Sequence, residues 1–187
     1  MEILKRIEYA GRTCYQSYDK ITEDSYDRFI RSLIKRGHTA PLEFGTMTVK
    51  LVTSRAVLAE LTRHRLSSFC VESQRYVDES DLVVIRPDWA DDNAPMLDMW
   101  ENMMRVDEIA YQSMVESGMQ KQQAREVLPN STATQIMMSA NIREWRHIFN
   151  LRMDKAAYPQ IRSLMTMVHE QASKVLPVVF EDVVHDA

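Results

Sequence analysis

Apolar side chains recur at helical spacing over most of this chain. The clearest stripe predicts a helix that starts after the candidate cap Thr22 and ends before Gly37, and its apolar members are Tyr26, Phe29, Ile30, Leu33 and Ile34. Gly37 suits the residue after the helix, where the backbone becomes left-handed. The same spacing predicts further helices, which cover approximately residues 2–9, 55–65, 94–117, 121–127, 142–151 and 159–176.

Apolar and polar residues alternate in two other segments, which predicts two strands. The first runs from Thr46 to Thr53, with Met47, Val49 and Leu51 on its apolar face. The second lies around Thr132 to Ala140. Because helices outnumber strands and do not alternate with them regularly, we expect an α+β fold, with a mixed or antiparallel sheet packed with several helices.

The remaining segments predict irregular structure. Residues 67–76 are polar and indicate a loop, and residues 78–92 form an acidic irregular region. The chain contains no repeat, low-complexity segment or flexible linker. We therefore expect a single domain over residues 1–187.

The composition excludes several classes of protein. Hydrophobic residues make up 45% and charged residues 27% of the 187 positions, a balance typical of a globular protein. The formal net charge of −4 gives no general attraction to nucleic acid. No apolar run approaches the roughly 18 residues of a membrane span, and residues 1–6 lack a signal-peptide core. We expect a cytoplasmic protein that binds neither membranes nor nucleic acid.

Glycine and cysteine counts narrow the chemistry further. Four glycines are too widely spaced for a phosphate-binding loop or a dinucleotide fingerprint. Two cysteines, Cys14 and Cys70, provide neither a disulfide framework nor a cysteine-based metal site. We expect no metal, and any bound phosphate must be held by side chains and helix ends.

The first candidate site is a basic cluster at the end of the predicted helix that starts after Ser54 and in the loop that follows it. It comprises Arg63-His64-Arg65, Ser73 and Arg75. Arginine offers a planar fork of donors that matches phosphate or carboxylate, and the Ser73 hydroxyl adds a further donor. A solvated basic turn, paired with the acidic residues that follow at 78, 79 and 81, explains the same spacing equally well.

The second candidate site is a polar helix face, formed by Asn141, Arg143, His147 and, farther along, Arg152. An asparagine can hold the amide edge of a heterocycle, and the arginines can pair with anions. The alternative is a helix face that simply contacts water. Asn141 and Glu144 also have the N-x-x-E spacing of a capping box.

The basic cluster closely resembles a known family. Arg63-His64-Arg65, followed after seven residues by Ser73-Gln74-Arg75, is the RHR-x7-S-x-R signature of the flavin-dependent thymidylate synthases, the ThyX family. Further segments resemble that family in the same order along the chain: Arg12–Tyr15, Gly37–Glu43, Ala124–Pro129 and Asn141–Arg152. The chain departs from the family pattern at Phe44, Glu60, Cys70, Val71 and Ala156-Ala157-Tyr158.

The resemblance implies an activity. Members of this family methylate deoxyuridine monophosphate (dUMP) to dTMP, with methylenetetrahydrofolate as carbon donor, NADPH as reductant and bound FAD as hydride carrier. They are homotetramers whose sites lie at subunit interfaces. Two alternatives are a non-catalytic nucleotide- or nucleic-acid-binding module and a degenerate family member that binds FAD and dUMP with little turnover.

The resemblance also implies roles for individual residues. Arg152 would be catalytic, since a cation beside the uracil carbonyl stabilises negative charge on the ring. The residues that would contact dUMP are Glu60, Arg63, Glu72, Ser73, Gln74, Arg75, Arg125 and Arg152. Those that would contact FAD are Thr46, Arg63, His64, Arg65, Val71, Asn141, Arg143 and His147.

Overall fold

The computed structural model describes residues 2–184, apart from the side chain of residue 91. The α helices in this range are α1 (Glu2–Tyr15), α2 (Ser25–Lys35), α3 (Arg55–Leu61), α4 (Ala94–Glu116), α5 (Lys121–Ala124), α6 (Ile142–Arg152), α7 (Pro159–Val175) and α8 (Pro177–Phe180). The strands are β1 (Thr46–Ser54), β2 (Ser67–Val71) and β3 (Ala133–Asn141). They form a small antiparallel sheet in the order β1-β3-β2, which confirms the predicted α+β class.

The backbone forms two compact units. The first contains residues 2–49, 64–68 and 138–184, and the second contains residues 50–63 and 69–137. We call them unit 1 and unit 2. The expectation of a single domain stays a prediction.

The core of unit 1 is formed by its helices. Their largest fully buried side chains include Ile7, Ile30, Leu33, Trp145, Phe149 and Phe180. Helix α1 extends to Tyr15, beyond the predicted end near Tyr9, although Gly11 lies inside it. A Cβ at Gly11 would lie 2.7 Å from Cε1 of Phe29. The glycine therefore permits close packing of α1 against α2, and this contact outweighs its low helix propensity.

The end of α2 agrees with the sequence. Gly37 has a φ of 72°, the left-handed value predicted there. Its amide donates to the carbonyl of Ile34, and the amide of His38 donates to the carbonyl of Leu33. Together these bonds form a Schellman motif. The start of the helix differs, since Asp24 rather than Thr22 is the capping residue.

The core of unit 2 lies under α3, α4 and the adjoining part of β3. Tyr111 is the fully buried residue of α4. The other residues of the predicted stripe are only half-buried, so most of the helix lies at the edge of this core; they are Leu97, Trp100, Met104 and Val115. The side chain of Asn93 accepts a hydrogen bond from the amide of Met96, so the predicted start of α4 is correct. Gly118, with a φ of 88°, follows its end as predicted.

Two predictions around the basic cluster are wrong. Helix α3 is capped by Ser54, as expected, but it ends at Leu61 and not near Arg65. Arg63-His64-Arg65 therefore lies after the helix and not within it. Residues 67–71 form strand β2 and not the predicted loop. Half-buried and exposed side chains alternate along this strand, but the sequence does not show the alternation, because Ser and Cys occupy alternate positions. None of the helices in residues 2–184 is long and apolar enough to cross a membrane.

Candidate active site

In unit 1, Arg152 at the end of α6 is held by a buried histidine. Its Nε atom donates a hydrogen bond of 3.0 Å to Nε2 of His64. His64 is 5% exposed, so little water competes for this contact. Arg152 itself is half-buried. The guanidinium, which the resemblance implies to be catalytic, is therefore fixed in position by the histidine of the signature.

The imidazole of His64 is neutral at neutral pH. Burial first, and then the nearby charges of Arg152 and His147, lower the pKa of His64 from 6.5 to about 4. A guanidinium has only N–H donors, so Nε2 of His64 must accept the bond from Arg152. The single ring proton must then be on Nδ1.

Glu144 and His147 lie beside the same imidazole. Oε1 of Glu144 is 3.6 Å from Nδ1 of His64, and the rings of His64 and His147 are 6.1 Å apart in an edge-to-face arrangement. One ligand atom from each of these three residues lies within 4.8 Å of the others, a spacing that a metal ion could in principle use. The proton on Nδ1 opposes this use, because it leaves no lone pair on the side of His64 that faces Glu144.

The first turn of α6 presents polar groups to solvent. The side chain of Asn141 accepts a hydrogen bond from the amide of Glu144 and so caps the helix. Arg143 is about half exposed and pairs with Glu43. His147, one turn further on, is exposed, as the spacing predicts. The cap fixes the start of the helix through the side chain of Asn141, so it requires neither Arg143 nor His147.

Trp145 fixes α6 against β1. Its side chain is fully buried, and its Nε1 donates a hydrogen bond of 2.9 Å to the carbonyl oxygen of Met47. The amide of Ile142 similarly donates to the carbonyl oxygen of Gly45, just before the strand. Thr46, the first residue of β1, is exposed. These bonds set where Thr46 and the start of α6 lie relative to one another.

In unit 2, Glu72 is anchored to strand β3. Its amide donates to the carbonyl of Gln135, and its Oε2 accepts from the amide of Gln135. Its own carbonyl accepts a hydrogen bond of 3.1 Å from Nη2 of Arg55. With Val71, Glu72 lines a cavity of about 390 Å³ that also contacts Cys70 and Met137. The carboxylate of Glu72 thus already accepts a hydrogen bond from the backbone of β3.

The residues after Glu72 form a tight turn. The carbonyl of Ser73 accepts bonds from the amides of Tyr76 and Val77, and its hydroxyl accepts one from the amide of Arg75. The guanidinium of Arg75 lies 5.6 Å from the centre of the Tyr76 ring, and both side chains are exposed. The turn therefore fixes the backbone and leaves the cation available to an anion.

A buried acid–base cluster adjoins this turn. Glu79 is 7% exposed, and burial together with the charge of Glu72 raises its pKa. Arg55, with an opposite charge, and a hydrogen bond offered by the Gln74 side chain act in the other direction. Burial also lowers the pKa of Arg55, and the charge of Arg125 adds to that effect. Gln74 and Arg125 thus adjoin one charged cluster.

The predicted site residues are distributed between the units. Unit 1 brings together His64, His147 and Arg152, and it also contains Thr46, Arg65, Asn141 and Arg143. Unit 2 brings together Glu72, Gln74 and Arg125 around Arg55, and it also contains Glu60, Arg63, Val71, Ser73 and Arg75. Arg63, Arg65 and Arg75 are all exposed.

The alternative in which the basic cluster pairs with the acidic region is not favoured by the described contacts. Within the part of the chain that the structure describes, Asp78 pairs with Lys121 at 3.0 Å, and Glu79 lies near Arg55. Two of the three candidate carboxylates, those of Asp78 and Glu79, therefore lie beside cations other than Arg63 and Arg75.

Sequence reasoning missed three polar residues in these clusters. The sequence explains Glu144 only as part of a cap, it places Glu79 in an acidic irregular region as a candidate partner of the basic turn, and it does not single out Arg55. For Glu144 a signal exists, since it lies three residues before His147 and so on a neighbouring part of the helix surface. The sequence holds no comparable signal for Arg55, whose neighbours are set by long-range packing.

Comparison with known proteins identifies the family. The family model described as thymidylate synthase complementing protein (Thy1) matches residues 1–178. The chain is 33% identical over 192 residues to a probable flavin-dependent thymidylate synthase of Mycobacterium phage L5, covering 94% of this chain and 79% of that protein. The chain belongs to the flavin-dependent thymidylate synthase family. The resemblance stated from the signature is therefore confirmed.

Other relatives of the family agree. A flavin-dependent thymidylate synthase of Corynebacterium diphtheriae is 32% identical over 196 residues, covering 94% of this chain and 77% of that protein. The fold matches a crystal structure of the flavin-dependent thymidylate synthase ThyX of Helicobacter pylori complexed with FAD and dUMP. The TM-score is 0.81 at 23% identity, covering 97% of this chain and 95% of that one. At this identity the likeness establishes the fold.

Proposed function

We propose that this protein catalyses the FAD-dependent reductive methylation of dUMP to dTMP, with methylenetetrahydrofolate as carbon donor and NADPH as reductant. The observation that carries the proposal is membership of the flavin-dependent thymidylate synthase family with the RHR-x7-S-x-R signature intact at positions 63–75. The structural neighbour from Helicobacter pylori, which was crystallised with FAD and dUMP, supports the same pair of ligands.

The turn at Ser73 is suited to hold the phosphate of dUMP. Its backbone is fixed by hydrogen bonds, and the guanidinium of Arg75 remains exposed beside it. A phosphate dianion gains most from a guanidinium that is already oriented, because less side-chain entropy is lost on binding. Arg63 and Ser73 would add donors. Glu60, Glu72, Gln74 and Arg125 complete the dUMP set that the family resemblance implies.

Arg152 is suited to act on the uracil ring. A guanidinium held by a neutral imidazole keeps its full positive charge and a defined direction. Such a fixed cation stabilises negative charge on a carbonyl oxygen as it develops in the transition state, without reorganisation of solvent. In this proposal Arg152 polarises the uracil and is the catalytic residue.

The residues of unit 1 fit the chemistry of FAD. A pyrophosphate and an isoalloxazine ring need cations and amide-type donors. Arg65, Arg143 and His147 of this unit are exposed, and Arg143 and His147 lie in the first two turns of α6. Thr46, His64 and Asn141, with Arg63 and Val71 of unit 2, complete the proposed FAD set. When bound, FAD supplies the hydride transfer, and the protein binds and orients the reactants. No residue of the proposal acts as a covalent nucleophile.

We also propose the homotetramer of the family. Helix α4 carries an exposed apolar stripe formed by Met96, Met99, Met103, Val106 and Ile109, each between 45% and 60% exposed. A contiguous apolar stripe of this length on a soluble protein marks an interaction surface. Sedimentation velocity at several concentrations measures the assembly. A monomer at every concentration would contradict this part of the proposal.

Flavin absorbance and tritium release together test the function. The purified protein should show flavin absorbance in the visible range, directly or after reconstitution with FAD, and should release tritium from 5-tritiated dUMP when folate and NADPH are present. Flavin and dUMP binding without release would favour a degenerate member. A protein that takes up no flavin and binds RNA or DNA with a steep salt dependence would favour a nucleic-acid module.

A further inference from the structure

Glu144 is a buried carboxylate to which neither the sequence nor the proposed function assigns a role in the site. It is 8% exposed and lies in the first turn of α6, where its amide donates to Asn141. A glutamate at this position of a capping box turns back towards the capping residue. Here Oε1 lies 3.6 Å from Nδ1 of His64, on the side of the ring opposite to the bond from Arg152.

We propose that Glu144 positions Arg152 through His64, by holding the proton of the imidazole on Nδ1. This inference rests on the proposed function, since Arg152 has its role only there. Glu144 does not touch the substrate in this proposal. It is a positioning residue, and its effect reaches the reaction through the direction of the Arg152 guanidinium.

The argument depends on which ring nitrogen of His64 carries the proton. With the proton on Nδ1, the lone pair of Nε2 faces the N–H of Arg152, and the proton faces the carboxylate. With the proton on Nε2, two donors face each other at Arg152, and a lone pair faces the negative charge of Glu144. Both neighbours therefore favour the same tautomer, and Glu144 adds to the preference that the bond from Arg152 already gives.

The distance and the surroundings decide how strong this preference is. At 3.6 Å the contact between Glu144 and His64 is longer than a hydrogen bond, so its effect is electrostatic. The side chains of His64 and Glu144 are 4% and 9% exposed, so solvent screens the attraction poorly. His147, the other titratable neighbour of the ring, meets it edge to face.

Two substitutions of Glu144 test the proposal by kinetics. Glu144→Leu removes the charge and the acceptor, and we expect kcat to fall roughly tenfold or more, the usual size for loss of a group that orients an active-site residue. KM for dUMP should change less, because a misdirected Arg152 loses contacts made in the transition state. Glu144→Gln keeps an oxygen that can accept from Nδ1 and should retain more activity than Glu144→Leu.

The matched control is Glu8→Gln. Glu8 is also a buried carboxylate of unit 1, 1% exposed and paired with Arg12. Its substitution removes a buried charge without touching His64, so we expect lower stability with kcat preserved in the folded protein. A loss of kcat in Glu8→Gln as large as that in Glu144→Leu, measured where both are folded by circular dichroism, would overturn the proposal.

Nitrogen-15 NMR of the histidine rings supplies a readout that is independent of turnover. The chain has five histidines, and His64→Gln identifies the signals of His64. We expect Nδ1 to be protonated in the wild-type protein and the two tautomers to interconvert in Glu144→Leu, or in Glu144→Ala if the leucine variant does not fold. A proton on Nε2 in the wild-type protein would overturn the inference.

The two measurements separate this inference from the proposed function. If the wild-type protein makes no dTMP, the proposed function fails, and the NMR signals still decide whether Glu144 sets the tautomer of His64. If the wild-type protein is active and Glu144→Leu keeps the wild-type kcat, the positioning role fails, and the proposed function stands.

Discussion

The guanidinium of Arg152 and the imidazole of His64, which are 88 residues apart in the sequence, are joined by one hydrogen bond of 3.0 Å. His64 belongs to the signature, and Arg152 ends helix α6. The bond gives the signature histidine a structural role, because it directs the guanidinium that the proposed function makes catalytic.

Replacing Arg152 by alanine should remove nearly all turnover while the fold is retained. Arg152→Ala removes the cation proposed to stabilise charge on the uracil carbonyl, and loss of one such stabilising group costs roughly 10²–10³ in kcat. Arg152→Lys keeps a charge but lacks the planar donor fork, so we expect it to recover only part of the activity. Tritium release from 5-tritiated dUMP measures both variants.

Arg146→Ala is the matched control for Arg152→Ala. Arg146 lies on the same helix, but its guanidinium pairs with Asp182 and with the carbonyl of Val179. This variant should lose some stability and keep its kcat. If Arg152→Ala turned over as fast as Arg146→Ala, Arg152 would not be the catalytic residue.

The pKa of His64 predicts a pH dependence of stability. Burial first, then Arg152 and His147, lower this pKa from 6.5 to about 4. Between these values the unfolded chain binds a proton at position 64 that the folded chain does not. The contribution of His64 to the free energy of unfolding is therefore fully present above about pH 6.5 and is lost as the pH decreases towards 4.

Urea unfolding at fixed protein concentration across this pH range measures the effect. His64→Asn lacks the titrating ring, so its unfolding free energy should fall less steeply with decreasing pH than that of the wild-type protein. The comparison concerns the slopes, because the substitution also changes absolute stability. Identical slopes for the two proteins would contradict the lowered pKa.

Arg75 should contribute to dUMP affinity rather than to folding. Its side chain is exposed on a turn whose backbone is fixed by Ser73. Loss of a charged hydrogen bond to phosphate weakens binding by roughly 10- to 100-fold, so we expect the Kd of dUMP for Arg75→Ala to rise by that factor. Isothermal titration with dUMP measures it, and the melting temperature should change little.

Arg28→Ala gives the control for Arg75→Ala. Arg28 is an exposed arginine of α2 that lies outside the signature. Both variants remove one positive charge and so make the net charge more negative by the same amount. A general electrostatic effect would therefore weaken dUMP binding in both. Weakening only in Arg75→Ala, together with reduced salt sensitivity, is the result expected for a direct phosphate contact.

Local sequence patterns predicted most elements of this fold. The alternation that predicted β1 is present, with Leu51 buried and Val52 exposed, and the cap and stop signals of α4 lie where expected at Asn93 and Gly118. Such features depend on residues close in sequence. Strand β2 was missed because its pairing with β3, and not its own composition, makes it a strand.

The site was predictable in a different way. Composition and spacing left each basic cluster with two interpretations, and only the family signature favoured one of them. The contact between His64 and Arg152 depends on where distant segments fold, which periodicity cannot report. The role of Glu144 is not visible in the sequence for a related reason. Its spacing from Asn141 explains it as part of a cap, and its other neighbour, His64, is distant in sequence.

Trp145 should stabilise the attachment of α6 to β1 through one hydrogen bond. Trp145→Phe keeps a large aromatic side chain in the core but removes the donor to the carbonyl oxygen of Met47. A buried carbonyl left without its partner costs about 1–3 kcal/mol, and the part-buried carbonyl of Met47 should cost about 1 kcal/mol, at the lower end of that range. We expect the free energy of unfolding in urea to fall by that amount. Trp89→Phe is the matched control, because Trp89 is 44% exposed. If both substitutions cost the same, the bond from Trp145 to Met47 contributes nothing specific to stability.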